Sequence, residues 1–144
     1  NHRDDPTTLA WAGHTIAYPG GQPETGKHAL KRALQLNPNS STAFGSMGWV
    51  SNYIGDANRA IESLDALHRL SPLDPNSYAS YGVLGMAYMM QGRFDEAVNA
   101  LEHSHALFGD FATALFDMVA CYTALGRIDD AMAAADKLLR DNLH

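Results

Sequence analysis

The chain has little cysteine, few basic residues and no long apolar segment. Among its 144 residues there is one cysteine, Cys121, which excludes an intramolecular disulfide and fits a reducing compartment. The 10 Lys and Arg residues are scattered and outnumbered by 16 Asp and Glu, giving a net charge of −6 that argues against a nucleic-acid partner. No apolar run approaches the roughly 18 residues of a membrane span, so we predict none.

The polar N-terminus, NHRDDP, lacks the charged-then-apolar form of a signal peptide. We therefore expect a cytoplasmic protein or a cytoplasmic piece of a larger one. Hydrophobic residues make up 46% of the chain and charged residues 18%, which is a globular composition. Alanine and leucine dominate and β-branched residues are sparse, so the composition favours helix over strand.

Two nearly identical segments, GRFDEA at 92–97 and GRIDDA at 126–131, lie 34 positions apart. The same spacing from glycine to alanine recurs in GDANRA at 55–60, and a degraded copy surrounds Gly20 and Gly26. From Gly20, successive glycines follow after 35, 37 and 34 residues. A period of this length indicates an array of small supersecondary units.

Each unit has the pattern of two helices joined at its glycine. Before Gly92, the residues Tyr81, Leu84, Gly85 and Tyr88 fall on one helical face. The glycine suits the left-handed residue that ends a helix, and the acidic residues after it suit the first turn of the next helix. LNPNSS at 36–41 and LSPLDPNS at 70–77 end the second helices, with Asn or Ser capping the helix that follows.

Small residues recur at fixed positions of both helices. We expect Gly48 to face Ala60, and Gly85 to face Ala97, where the two helices approach closely. Larger side chains there would separate the helices at a cost of roughly 1–3 kcal/mol.

These positions resemble the tetratricopeptide repeat, a 34-residue helix–turn–helix unit. The second unit has Phe44, Met47-Gly48, Ala60, Leu64 and Pro72 at the family's positions, and Gly109 and Leu143 replace the repeat-ending proline elsewhere. The resemblance implies an all-α fold, a right-handed superhelical array of antiparallel helix hairpins with about four repeats and eight helices. The implied segments are a tail at 1–5 and repeats at 6–40 (with a one-residue insertion), 41–77 (with a three-residue linker), 78–111 and 112–144.

Segments such as GWV and RLSPLDP are also similar to repeat arrays of alphaproteobacterial proteins that contain nucleotide cyclase or winged-helix regulator domains. That similarity implies an alternative function as a regulatory or oligomerisation segment of a larger protein. A homodimer is a further alternative, because Leu115, Leu138, Leu139 and Leu143 could form an apolar end after the fourth unit.

The family's first helices line a concave groove, and its register places an apolar set of side chains there. This resemblance implies a non-catalytic scaffold that binds an apolar or amphipathic peptide or helix of a protein partner. The alternative for Trp11 and Trp49 is that they fill space between adjacent helices. The predicted groove residues are Trp11, His14, Tyr18, Trp49, Asn52, Tyr53, Met86, Met89, Met90, Phe116 and Asp117. The basic clamp that one subclass uses for peptide carboxylates is missing, since Ala10, His14, Ser46, Ala79 and Val83 occupy its positions.

No residue pattern predicts catalysis, a metal site or a cofactor. The seven histidines include no pair at the i, i+3 or i, i+4 spacing that helical metal sites use. Two mixed pairs, Asp65/His68 and Glu102/His105, have that spacing but fit a solvated surface better. Cys121 lies in a periodic helix and fits a small buried thiol better than a nucleophile. We predict no catalytic residue, metal or cofactor.

Overall fold

The computed structural model describes residues 5–142, and these form α-helices joined by short turns. The eight α-helices in this range are α1 (Pro6–Ala17), α2 (Pro23–Leu36), α3 (Ser41–Tyr53), α4 (Ala57–Leu70), α5 (Tyr78–Met90), α6 (Phe94–Leu107), α7 (Ala112–Ala124) and α8 (Ile128–Asn142). A 3-10 turn, Pro75–Ser77, precedes α5 at the site of the three added residues. The all-α class with eight helices is confirmed. Most of the predicted N-terminal tail, and Leu143, lie outside the described residues.

The chain divides into two compact units between Leu73 and Asp74. In unit 1, α1 pairs with α2, α3 pairs with α4, and α3 also packs against both earlier helices. In unit 2, α5 pairs with α6, α7 pairs with α8, and α7 also packs against α5 and α6. The core of unit 1 includes Leu30, Met47 and Val50, and that of unit 2 includes Leu101 and Leu115. No helix of residues 5–142 combines the length and apolar character that crossing a membrane would need.

The glycine that ends the first helix of each hairpin has a left-handed backbone. The φ angles are 93° at Gly20, 78° at Gly55, 71° at Gly92 and 72° at Gly126. After Gly92, the N–H of Arg93 donates to the carbonyl of Tyr88 at 3.0 Å, which satisfies a carbonyl that the helix end leaves open. The predicted role of this repeated glycine in turn geometry is therefore confirmed.

A second glycine position, occupied by Gly48 in α3 and Gly85 in α5, lets the two helices of its hairpin approach closely, but the neighbouring side chain differs from the expected one. A Cβ on Gly48 would lie 2.7 Å from Leu64 Cδ2, and one on Gly85 would lie 2.5 Å from Leu101 Cγ. The expected partner alanine contributes only at Gly85, where the carbonyl of Ala97 would lie 3.3 Å away. The glycine therefore makes room mainly for the leucine one turn later, because helical side chains lean towards the preceding turn.

Side-chain caps fix several helix starts. Ser40 Oγ accepts from the N–H of Ala43 (3.2 Å), and Asp56 Oδ1 accepts from the N–H of Arg59 (3.1 Å). Before α5 the cap is Asp74, whose Oδ1 accepts from the N–H of Asn76 (2.8 Å), while the Ser77 side chain makes no such bond. The expectation that Asn or Ser caps the next helix thus holds at Ser40 and is wrong at Ser77, because the 3-10 turn begins one residue after Asp74.

Candidate protein-interaction site

Unit 1 brings together four aromatic side chains of the predicted set, which we call the aromatic cluster: His14, Tyr18, Trp49 and Tyr53. The His14 ring centroid lies 6.4 Å from those of both Trp49 and Tyr53, and Tyr18 lies 6.3 Å from Tyr53. These three contacts are edge-to-face, with interplanar angles of 73°, 73° and 79°. Trp49 and Tyr53 are 6.1 Å apart and tilted by 43°.

The cluster forms because α1 and α3 pack side by side. His14 lies in the last turn of α1 and Tyr18, four residues later, is the residue that caps this helix, while Trp49 and Tyr53 are four residues apart at the C-terminal end of α3. Residues at i and i+4 share a helix face, so each helix contributes one pair to the same surface. Edge-to-face contacts at these centroid distances are favourable for aromatic rings.

The cluster is open to solvent on its α1 side. Tyr18 is 61% exposed, whereas Trp49, Tyr53 and His14 are half-buried. Trp11, three residues before His14 on α1, is 59% exposed. At that exposure Trp11 does not fill a gap between packed helices of unit 1, which removes that alternative for Trp11 within this unit.

Partial burial alters the ionisation of two members of the cluster. Desolvation lowers the pKa of His14 below its ordinary value of 6.5, which favours the neutral imidazole. Desolvation, followed by the charge of Tyr18, raises the pKa of the Tyr53 hydroxyl. The surface is therefore aromatic and uncharged near neutral pH.

Asn52 was also predicted to face the groove, but its side chain is buried within unit 1. Ser46 and Ser51 of the same helix are buried as well, so α3 has a polar inner edge beside its aromatic surface. Asn52 is 8% exposed, so little of its side chain is accessible to a ligand, and its role as a groove contact stays a prediction.

The methionines of α5 in unit 2 differ in exposure. Met86 and Met89 are half-buried, and Met89 packs against the core of unit 2. Met90 is exposed at the end of the helix. Of the three methionines predicted to face the groove, only Met90 is therefore exposed, and Met86 and Met89 are accessible in part.

Phe116 and Asp117 line a pocket of about 520 Å³ between α7 and α8. Phe116 is 68% exposed, whereas Asp117 is 8% exposed. The described lining residues are Ala112, Thr113, Phe116, Asp117, Leu138 and Leu139. Asp117 is the charged member of this set, so the pocket is apolar apart from one carboxylate and one hydroxyl.

In the described part of the chain, the Asp117 carboxylate has no ion pair, and one of its oxygens has no hydrogen bond. Its Oδ2 atom is shielded from solvent and has no hydrogen-bond partner there. Desolvation raises its pKa from 3.8 to about 6. One helical turn later, burial raises the pKa of the Cys121 thiol to about 11, and the charge of Asp117 contributes to that shift. The predicted burial of the Cys121 thiol is confirmed, and burial together with a raised pKa disfavours the reactive thiolate form.

Helix α8 carries an apolar strip of which only Leu139 was predicted from the sequence. Ile128, Met132 and Leu139 are exposed, and their spacing places them on one side of the helix. The expected apolar end included Leu115, which is instead fully buried in the core of unit 2. The spacing of Ile128, Met132 and Leu139 was visible in the sequence, but whether another helix covers them is a tertiary property.

An arginine beside the turn glycine makes the same contact in two hairpins, and this contact was not predicted from the sequence. Arg93 stacks on the Tyr88 ring at 4.6 Å and pairs with Glu96 at 2.6 Å. Arg127 stacks on Tyr122, also at 4.6 Å, and pairs with Asp130 at 2.8 Å. One acidic residue of each motif, Glu96 in GRFDEA and Asp130 in GRIDDA, thus binds the arginine of its own motif and belongs to the scaffold.

Within residues 5–142 no group of three or more His, Cys, Asp or Glu side chains has the geometry of a metal site. The two mixed pairs noted in the sequence do not form one. A different histidine, His103, belongs to neither pair and stacks on Tyr81 within unit 2, with 4.0 Å between the ring centroids.

Paired antiparallel helices with a left-handed glycine in each turn define a helical repeat protein. Two tetratricopeptide repeat family models match the sequence, one at residues 47–106 and the other at 88–143. Together they span well over half of the chain, which belongs to the tetratricopeptide repeat family. That family and this fold are those of protein-interaction scaffolds.

Solved structures of MamA have a similar fold. Two crystal structures of MamA are each 25% identical to this chain, with TM-scores of 0.80 and 0.81. Each comparison covers 96% of this chain and 73% or 78% of the MamA chain. A third, the MamA RS-1 ArsTM double mutant, is 20% identical with a TM-score of 0.82, over 96% of this chain and 75% of that one. No curated protein sequence matches the chain.

Proposed function

We propose that this protein is a non-catalytic interaction scaffold that binds an apolar or amphipathic segment of a protein partner, with the aromatic cluster and Trp11 as the contact surface in unit 1. The observation that supports the proposal most directly is the exposure of Trp11 and Tyr18 beside three half-buried aromatic rings. Tryptophan and tyrosine are the residues that most often dominate binding energy at protein interfaces.

The arrangement of the rings also suits binding. Each ring of the cluster contacts at least one other ring, so little side-chain freedom remains to be lost when a ligand docks. Desolvation favours the neutral form of His14, and no Lys, Arg, Asp or Glu belongs to the cluster, so the surface favours an apolar ligand over a charged one. A helix that presents apolar residues at i, i+3 and i+4 has the periodicity to contact pairs of rings on two parallel helices.

The test uses a displayed library of random 15-residue peptides selected against the full chain. Binding of the selected peptides is measured by isothermal titration and by tryptophan fluorescence, because Trp11 and Trp49 both belong to the proposed surface. Trp11→Ala and Tyr18→Ala remove exposed side chains, so the fold should persist in both variants. We expect each to weaken binding by about 10- to 30-fold, the range typical of interface hot spots.

The matched control is Leu70→Ala, which removes an exposed apolar side chain from α4 of the same unit. It should leave the affinity within about twofold of the unmodified chain, as expected for a residue outside the interface. Selected peptides that bind Trp11→Ala, Tyr18→Ala and Leu70→Ala equally well would contradict the assignment of this surface.

A further inference from the structure

The pocket between α7 and α8 combines two features that are unfavourable without a ligand. Its walls include Phe116 and Leu139, which are exposed to solvent at 68% and 60%. They also include Asp117, a residue that is nine-tenths buried and whose Oδ2 atom has no hydrogen-bond partner in the described chain. A buried polar group without a partner destabilises a protein, and such groups in native structures are uncommon.

Lys137 of α8 does not neutralise the charge of Asp117. Lys137 precedes the two lining leucines, but its Nζ lies 3.1 Å from both Asp110 Oδ1 and Asp141 Oδ2. Lys137 is thus paired with other carboxylates, and no ion pair to Asp117 occurs among the described residues. A ligand that brings its own donor would supply the missing interaction.

We propose that this pocket binds a lysine or arginine side chain set within an apolar protein segment. The cation would bind the Asp117 carboxylate, and the flanking apolar residues would cover Phe116, Leu138 and Leu139. The volume of about 520 Å³ is greater than one side chain requires, so it leaves space for the flanking residues. The strip formed by Ile128, Met132 and Leu139 extends the apolar contact along α8.

A cation is a better ligand here than a neutral donor for two reasons. Hydrogen bonds between charged groups contribute about twice as much as neutral ones, and this difference grows when water is excluded. An anionic or purely apolar segment would instead leave the carboxylate buried deeper without a partner, which is costly. The pocket therefore selects for charge as well as for apolar contact.

The site involves residues of unit 2 alone, so it can be tested separately from the aromatic cluster. The probes are n-butylammonium and n-propylguanidinium, which reproduce the lysine and arginine side chains, and 1-butanol, the neutral analogue of the first. Each is titrated into the ¹⁵N-labelled full chain at constant ionic strength, and the amide resonances of Phe116, Asp117 and Leu139 report on the pocket. Small-fragment affinities in the millimolar range are expected.

The proposal expects at least one cationic probe to bind at least about tenfold more tightly than 1-butanol, as a charge-assisted hydrogen bond implies. Asp117→Asn should abolish that preference, whereas Asp136→Asn, which removes an exposed aspartate from α8, should preserve it. Equal binding of 1-butanol and the cations, or equal preference in Asp117→Asn, would overturn the proposal. Saturation of the same resonances by self-association, seen as a concentration-dependent dimer that Phe116→Ala abolishes, would also overturn it in favour of a second copy.

Trp49→Ala should leave cation binding at the pocket unchanged. If the aromatic cluster fails to bind any selected peptide while the cations still bind at Asp117, the proposed function of unit 1 is wrong and the pocket assignment stands. The reverse result would reject the pocket and retain the cluster.

Discussion

Replacing Asp117 by asparagine should make the protein more stable at neutral pH. Burial raises the pKa of this carboxyl from 3.8 to about 6. A shift of one pKa unit corresponds to 1.36 kcal/mol, so the ionised carboxylate costs the folded state up to about 3 kcal/mol. Because water reaches the pocket wall and an amide also has polar atoms to satisfy, we expect Asp117→Asn to raise the free energy of unfolding by about 1.5–3 kcal/mol at pH 7.5.

The pH dependence gives the sharper test. A carboxyl whose pKa is raised on folding favours the folded state below the unfolded pKa, and this advantage is lost as the pH rises to the folded pKa. The difference in stability between Asp117→Asn and the unmodified chain should therefore be small below pH 3.8, grow between pH 3.8 and 6, and stay constant above pH 6. This difference isolates Asp117 from the other titrating groups that both proteins share.

Urea unfolding followed by far-ultraviolet circular dichroism, measured from pH 4 to 8, gives both free energies. Asp136→Asn is the matched control and should change stability by no more than about 0.5 kcal/mol, the usual range for surface substitutions. A constant difference across this pH range, or a destabilised Asp117→Asn variant at pH 7.5, would refute the reasoning. The same variant serves the binding test, because a loss of cation preference in a more stable protein cannot be attributed to unfolding.

Three further predictions follow from the packing. Gly85→Ala should lower the free energy of unfolding, measured in urea, by about 1–3 kcal/mol, because its Cβ would lie 2.5 Å from Leu101 Cγ. The control Gly45→Ala, where the nearest side-chain atom would be 3.6 Å away, should stabilise the protein by up to about 1 kcal/mol. Equal effects of the two substitutions would contradict the close contact at Gly85. Gly92→Ala should lower the free energy of unfolding by about 1–2 kcal/mol in the same measurement, because the backbone there has a φ of 71°. The added methyl group would meet no atom within 4 Å, so the loss would come from the backbone alone. An unchanged stability would show that the turn relaxes. At pH 8, Cys121 should react with a disulfide reagent at least about 100-fold more slowly than a small free thiol, because it is fully buried and burial raises its pKa to about 11. Fast labelling without denaturant would show that α7 opens.

The repeat architecture could be predicted because its signals are local. A left-handed glycine, a proline after a helix and a cap before one each act within a few residues of the chain. The observed φ of 71° at Gly92 and the cap from Ser40 to Ala43 are the outcomes that such signals predict. The expected contact between Gly48 and Ala60 was less accurate, because the direction of a longer side chain decides which residue fills the space, and Leu64 fills it.

The exposure of the candidate site could not be predicted in the same way. Trp11, Ser46, Val83 and Asp117 occupy the same position in their units, yet Trp11 is 59% exposed and the other three are buried. The helix period fixes the face on which a side chain lies, but exposure depends on which other helices pack over that face. The same dependence on packing makes Phe116 exposed although the next residue, Asp117, is buried.

The sequence by itself determined the eight helices, their turns and the scaffold role of GRFDEA and GRIDDA, because these depend on backbone conformation and short-range spacing. Only the tertiary structure decided that His14, Tyr18, Trp49 and Tyr53 form one cluster and that Asp117 is desolvated in an apolar pocket. The physical reason is that ring contacts and desolvation arise between residues brought together by folding, and the repeat period does not specify either of them.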